Sequence, residues 1–149
     1  MFQFEIHGIP IAQQQTRFTC PCKKGRCYDP SAKDKLSIQW QLKPFAPTVP
    51  FSGPVEVTMV FFIPIPKQVS KATRQQMINR VILPDKKPDE DNLAYLISNA
   101  MKEIVYDDDR RVCVKHVYKF YGLEPKTVIR VRPIAQMEPI GYREIDDIF

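Results

Sequence analysis

No run of apolar residues in this chain is long enough to cross a bilayer, which argues against a membrane-spanning protein. The first residues carry no basic stretch leading into an apolar one, so no secretory leader is expected. The expected compartment is therefore the cytoplasm, where thiols stay reduced. Cysteine is scarce: Cys20, Cys22 and Cys27 form C-x-C-x4-C, and Cys113 stands alone. A zinc site prefers C-x2-4-C pairs with a matching fourth ligand. Cys113 and His116 would have to complete it, yet residues three apart in a strand face opposite sides. Reduced thiols are the favoured reading over a zinc-stabilised interaction protein, with thiolate favoured beside Lys23, Lys24 and Arg26. Histidine is scarcer still, and neither His7 nor His116 is given a catalytic role. No internal repeat is present.

What remains is a chain of 149 residues with net charge +5, sized for one domain over residues 1–149. The charge suits a nucleic-acid partner without requiring one. Phe2, Phe4 and Ile6 alternate with polar residues as a first strand. Residues 12–28 show no apolar period and read as a long basic loop carrying Arg17, Lys23, Lys24 and Arg26. Asp29-Pro30 predicts a helix cap and first helical residue, with the helix running to about Lys43. Its i,i+4 apolar pairs are Leu36 with Trp40 and Ile38 with Leu42, and Trp40 is assigned to the core. Val55 to Ile63 reads as a central strand. Ser70 caps a short polar helix bearing Lys71, Arg74 and Arg80. A helix from about Asp89 carries an apolar stripe of Leu93, Leu96, Ile97, Ala100 and Ile104. Val112 to Tyr121 alternates as a strand, Gly122 turns the chain, and Thr127 to Val131 pairs back. The order strand–helix–strand–helix–helix–strand–strand predicts an α+β fold, a small mixed β-sheet packed with helices. The acidic segment 139–149 reads as a loose tail, with a flap over the basic loop or a docking peptide as the sharper alternatives.

Two acidic clusters stand out in this basic chain. Lys87-Pro88-Asp89-Glu90-Asp91-Asn92-Leu93 opens the long helix, and Tyr106-Asp107-Asp108-Asp109-Arg110-Arg111-Val112 follows it. Inside a helix, residues two apart point away from each other. At a helix start, Asp89 at the cap and Asp91 in the first turn can aim at one spot, and the helix dipole favours their ionised forms. A reversal at 105–109 is expected to carry Asp109 back beside them. Three carboxylates without His or Cys suit a hard cation, Mg²⁺ with Mn²⁺ as substitute. Each cluster alone is better explained by capping or turn formation, and only the two together, in a basic chain with a basic loop, bring a metal site level with that reading.

These motifs resemble the RusA-type Holliday junction resolvases, small dimeric endonucleases often encoded by phages and prophages. The resemblance spans most of the chain: Gly8-Ile9-Pro10, the Arg17 loop ending in Tyr28-Asp29-Pro30, Pro66-Lys67 with Ser70-Lys71, and both acidic clusters. It implies a Mg²⁺-dependent, structure-selective endodeoxyribonuclease of recombination and repair, acting as a homodimer on four-way DNA junctions in the cytoplasm beside the nucleoid. It implies paired hydrolysis leaving 5′-phosphate and 3′-hydroxyl ends. Asp89 and Asp91 match its metal-binding aspartates. Anchoring on Val112 puts Asp109 on the third, and a slip by one puts Asp108 there. The DNA contacts expected are Arg17, Lys23, Lys24, Arg26, Lys71, Arg74, Lys86 and Lys87, with Phe18 or Tyr28 available to stack on a base. One departure matters: Tyr95 stands where the family commonly has Lys, four residues after the second Asp. Lys102, Lys86 or Lys115 is expected to substitute; otherwise the chain is a catalytically impaired junction-binding module.

Overall fold

The computed structural model describes residues 1–19 and 25–134. Its centre is a four-stranded mixed sheet in the order β1-β6-β4-β5. The strands are β1 (Phe2–His7), β4 (Val55–Pro64), β5 (Val112–Gly122) and β6 (Lys126–Pro133). Strands β4 and β5 run parallel, while β6 pairs antiparallel with both β4 and β1. Two helices, α1 (Ala32–Leu42) and α3 (Glu90–Met101), share one core with the inward side chains of β1, β4 and β6. Alternation explains the layering. Val55, Val57, Met59 and Phe61 face the helices and are buried, while Glu56, Thr58, Val60 and Phe62 face the other side. The expected α+β class with a small mixed sheet is what the chain adopts. Among the described residues, no helix is long and apolar enough to cross a membrane.

Several expectations need correction; the short polar helix and the helix of the apolar stripe end at Ile78 and Met101, before Arg80 and Ile104. Residues 12–28 are not simply a loop: β2 (Arg17–Thr19) and β3 (Arg26–Tyr28) pair as the arms of a hairpin. Its arms escape detection because three residues each are too few to show a period. Helix α1 starts at Ala32 with Ser31 as cap, two residues later than Asp29-Pro30 suggests. The Asp29 carboxylate instead accepts from the Ser31 amide at 2.9 Å, forming a turn before the helix. Trp40 is 64% exposed and Leu36 is exposed with it, because α1 buries its Ile38–Leu42 diagonal. Trp40→Gln is therefore expected to change unfolding free energy by less than about 0.5 kcal/mol in urea denaturation. A core Trp would cost about 3–5 kcal/mol. Finally, β6 does not pair back on β5. Strand β4 lies between them, its backbone pairing with β5 along one edge and with β6 along the other.

Helix α2 (Lys71–Ile78) packs near β5, its cap made by the Ser70 hydroxyl accepting from the Thr73 amide at 3.1 Å. After α3, Glu103 takes a left-handed backbone angle of 65°, and its amide donates to the Tyr106 carbonyl at 2.7 Å. Phe51 then clamps this reversal through its amide and carbonyl, bonded to Val105 and Asp107. The buried Tyr106 hydroxyl donates back to the Ser98 carbonyl of α3 at 2.9 Å. The chain enters β5 from the C-terminal end of α3 and runs back along that helix.

Candidate functional site

Asp89 caps α3 with extended backbone, and its side chain bonds no helix amide. Asp91 lies in the first turn, where its Oδ1 accepts only from the Asn92 amide at 2.8 Å. Both are exposed, and among the described residues neither makes an ion pair. Among the described residues of a chain of net charge +5, Asp89 and Asp91 are thus exposed carboxylates that no side-chain cation neutralises. Lys119 on β5 supports them from beneath. Its ammonium donates to the Lys86 carbonyl at 2.9 Å and the Pro88 carbonyl at 3.0 Å, fixing the segment that delivers Asp89.

The second cluster is differently placed. Asp107 is held by Arg111 in a two-pronged pair at 2.7 and 2.8 Å, which lowers its pKa. Asp108 caps a one-turn 3-10 helix, Asp109–Arg111. The backbone amide of Arg110 and the Lys102 ammonium at 3.4 Å both lower its pKa. The Lys102 pKa is raised in return, chiefly by Asp108. Asp109 lies 3.8 Å from Lys102, with 58% of its side chain exposed. Lys102 is the C-cap of α3 and Asp89 its N-cap. A helix of 12 residues is about 18 Å long, so within one chain the two clusters sit at opposite ends of α3. The expected reversal exists, but β5 begins only at Val112 and leaves Asp109 at the far end. Accordingly, no three His, Cys, Asp or Glu side chains converge to hold an ion among the described residues of one chain.

Between the clusters, a concavity of about 410 Å³ is lined by Glu90, Asp91, Ala94, Tyr95, Lys115 and Val117. Tyr95 is 57% exposed into solvent there. Lys115 enters from β5, its ammonium donating to the Ser98 hydroxyl at 3.1 Å. Of the three lysines considered as stand-ins for the missing one, Lys115 shares this concavity with Asp91. Lys102 is engaged at the other end of the helix.

The basic residues surround this region unevenly. Arg17 and Arg26 are exposed on the hairpin arms, while Lys23, Lys24, Cys20 and Cys22 lie outside the described residues. Cys27 and Cys113 are free thiols. The hairpin base is tied to the acidic helix, because the Gln13 amide donates to the Asn92 carbonyl at 3.0 Å. Gln13 Nε2 also donates to Asp29 at 2.9 Å, and the buried Ser31 hydroxyl accepts from the Gln14 amide at 2.8 Å. Lys71 and Arg74 are exposed on α2, and Lys86 and Lys87 are exposed just before Asp89. The tail 139–149 lies outside the described residues.

Sequence reasoning passed over Lys119 and the Gln13–Asp29–Ser31 latch. A signal for Lys119 existed: it shares alternation parity with Val117, on the face turned toward α3 and the core. A cation on such a face needs partners. The latch left no pattern in the sequence.

The family model described as Endodeoxyribonuclease RusA matches residues 7–132. The uncharacterized protein YqaN of Bacillus subtilis (strain 168) is 30% identical over 138 residues, covering 89% of this chain and 96% of that protein.

Proposed function

Because the chain belongs to the RusA endodeoxyribonuclease family, we propose that it is a Mg²⁺-dependent nuclease that resolves four-way DNA junctions as a homodimer. The observation that carries this reading is the unpaired Asp89/Asp91 couple at the start of α3 in a basic chain. Two exposed carboxylates fit a hard divalent cation but fill only part of its shell. The third, Asp109 with Asp108 beside it, is engaged at the other end of the same helix. In a two-fold dimer, the Asp109 end of one chain can face the Asp89 end of the other, completing each site from two chains. Two such sites related by a dyad suit a junction that needs two symmetric nicks.

A bound cation would supply charge neutralisation for the scissile phosphate and a lowered pKa for water. The protein supplies the rest. Asp89 and Asp91 provide the anionic cradle, and Lys119 holds their backbone in place. Lys115 presents a positive charge within the Asp91 concavity, where phosphate charge develops. Lys86, Lys87, Lys71, Arg74 and the hairpin cations hold flanking phosphates and fix register without reading sequence. The test is nicking of a synthetic four-way junction with Mg²⁺, lost on chelation and in Asp89→Asn or Asp91→Asn protein. Full cutting by both variants would remove the assigned site.

Tyr95, exposed in the concavity, favours a second reading: a junction-binding module with weakened catalysis. Two variants separate the readings. If Lys115 does the work of the missing lysine, Lys115→Met lowers single-turnover nicking about 100-fold and Tyr95→Lys gains little. If the site is impaired, Tyr95→Lys raises the rate markedly and Lys115→Met changes nothing.

A further inference from the structure

Helices α1 and α3 pack on one face of the sheet, and among the described residues the opposite face leaves a partly exposed aromatic patch on β4 and β5. There Phe62 on β4 meets Tyr118 and Phe120 on β5. The Tyr118 and Phe120 rings lie 6.0 Å apart and only 14° from parallel, with Phe62 tilted at 6.5 Å from Phe120. Tyr118 is 46% exposed. Arg80, just past α2, lays its guanidinium 4.5 Å from the Phe120 centroid and walls one side. Together with Val60 and Val128 these residues line an open cavity of about 360 Å³.

Down the centre of the same face, β6 presents Lys126, Arg130 and Arg132 by strict alternation with the buried Thr127, Ile129 and Val131. Two carboxylates on this face, Glu5 and Glu56, are already consumed by Lys126 and Arg132. Among the described residues, Arg130 bonds the neutral Gln3 and neither it nor Arg80 has a carboxylate partner. The face thus joins a half-exposed aromatic platform to surplus positive charge, the pair of features that single-stranded nucleic acid requires.

Its position relative to the candidate site is equally telling. Strand β5 is an edge strand. Val117 on one of its faces lines the Asp91 concavity, and the next residue, Tyr118, is the platform on the other. A DNA strand leaving the acidic couple need only cross this edge to reach the rings. A second copy of the chain would find no carboxylate for Arg130 on the same patch of its partner, since Glu5 and Glu56 are held by Lys126 and Arg132.

We propose that this face binds an unpaired stretch of single-stranded DNA, one base stacking on Tyr118 and the backbone passing Arg130, the β6 cation that no carboxylate holds among the described residues. The proposal rests on the reading of DNA as substrate and extends it to a site away from the acidic residues. The test uses the full chain with EDTA present, so that cleavage plays no part. Affinity for a fluorescent oligothymidine is measured by anisotropy over a range of salt. Tyr118→Ser is expected to weaken binding about 5- to 150-fold, the range of one lost base–aromatic stack, and Tyr118→Phe to retain it. Arg130→Gln is expected to reduce the slope of log affinity against log salt by about 0.7. A 2-aminopurine base in the strand is quenched on binding to the native chain and not to Tyr118→Ser. Native-like binding by Tyr118→Ser and an unchanged slope in Arg130→Gln would overturn the proposal. So would failure of the native chain to bind oligothymidine, or conversion of a dimer to monomers by Tyr118→Ser in sedimentation, which would make the face an interface between copies. If single strands bind as described but junctions are never nicked, the platform stands and the nuclease reading falls.

Discussion

Mixing Asp89→Asn chains with Asp109→Asn chains is expected to restore nicking that neither variant shows alone. Loss of a ligand to a cation that contributes several kcal/mol of charge stabilisation lowers the rate by roughly 10³-fold in each homodimer. The recovery follows from where the side chains stand. Asp89 caps one end of α3, while Asp109 is tethered near Lys102 at the other, about 18 Å of helix away. If each site draws Asp89 and Asp91 from one chain and Asp109 from its partner, a heterodimer contains one site with every ligand and one lacking both. Random pairing at equal amounts makes about half of the dimers heterodimeric, so about one quarter of the native number of sites returns. The products should be single nicks, since the second site of each such dimer is dead and paired resolution fails. Co-expression with two affinity tags isolates the heterodimer for this measurement. A site contained within one chain gives no recovery, because every chain in the mixture then lacks one of its own ligands. Repeating the mixture with Asp108→Asn decides between the adjacent aspartates. Asp108 already accepts from the Arg110 amide and pairs with Lys102, whereas Asp109 is the more exposed.

The same contrast shows what the sequence could and could not reveal. The spacing of Asp89 and Asp91 across a helix start is local chemistry, and the structure keeps both at the first turn of α3. The place of Asp109 depends on where β5 begins, and that is decided by the left-handed Glu103 and the Phe51 clamp on residues 105–107. No periodicity reports such a turn. Strands β1 and β4 were legible because each has one strictly buried alternation, and α3 because its stripe is wide. Helix α1 offered two equivalent diagonals, and only the presence of α3 beside it selects Ile38–Leu42 over Leu36–Trp40. The partner of β6 was hidden for a similar reason. A strand following Gly122 by a few residues reads as a hairpin with β5, yet the parallel β4–β5 pair occupies that edge.

The second large effect is expected at Lys119, which touches none of the acidic side chains. Lys119→Met should raise the Mg²⁺ concentration for half-maximal nicking roughly 10- to 100-fold, the range found when groups orienting metal ligands are removed. Its ammonium donates to the Lys86 and Pro88 carbonyls, the last backbone groups before the Asp89 cap. Without it these carbonyls lose a charged donor, and the segment carrying Asp89 is no longer tied to β5. Asp91 would keep its place, since the first turn of α3 is anchored by the buried Leu93 and Ala94. The loss should therefore show as weaker metal affinity, with the rate at saturating Mg²⁺ nearly preserved. Removal of Asp89 itself would lower both. Lys119→Arg, which retains a charged donor on the same strand position, should recover part of the affinity. Calorimetric titration of Mn²⁺ into the native and variant proteins measures the shift without DNA. If Lys119→Met binds Mn²⁺ as the native chain does, the tie from β5 to the segment before Asp89 plays no part in holding the cation.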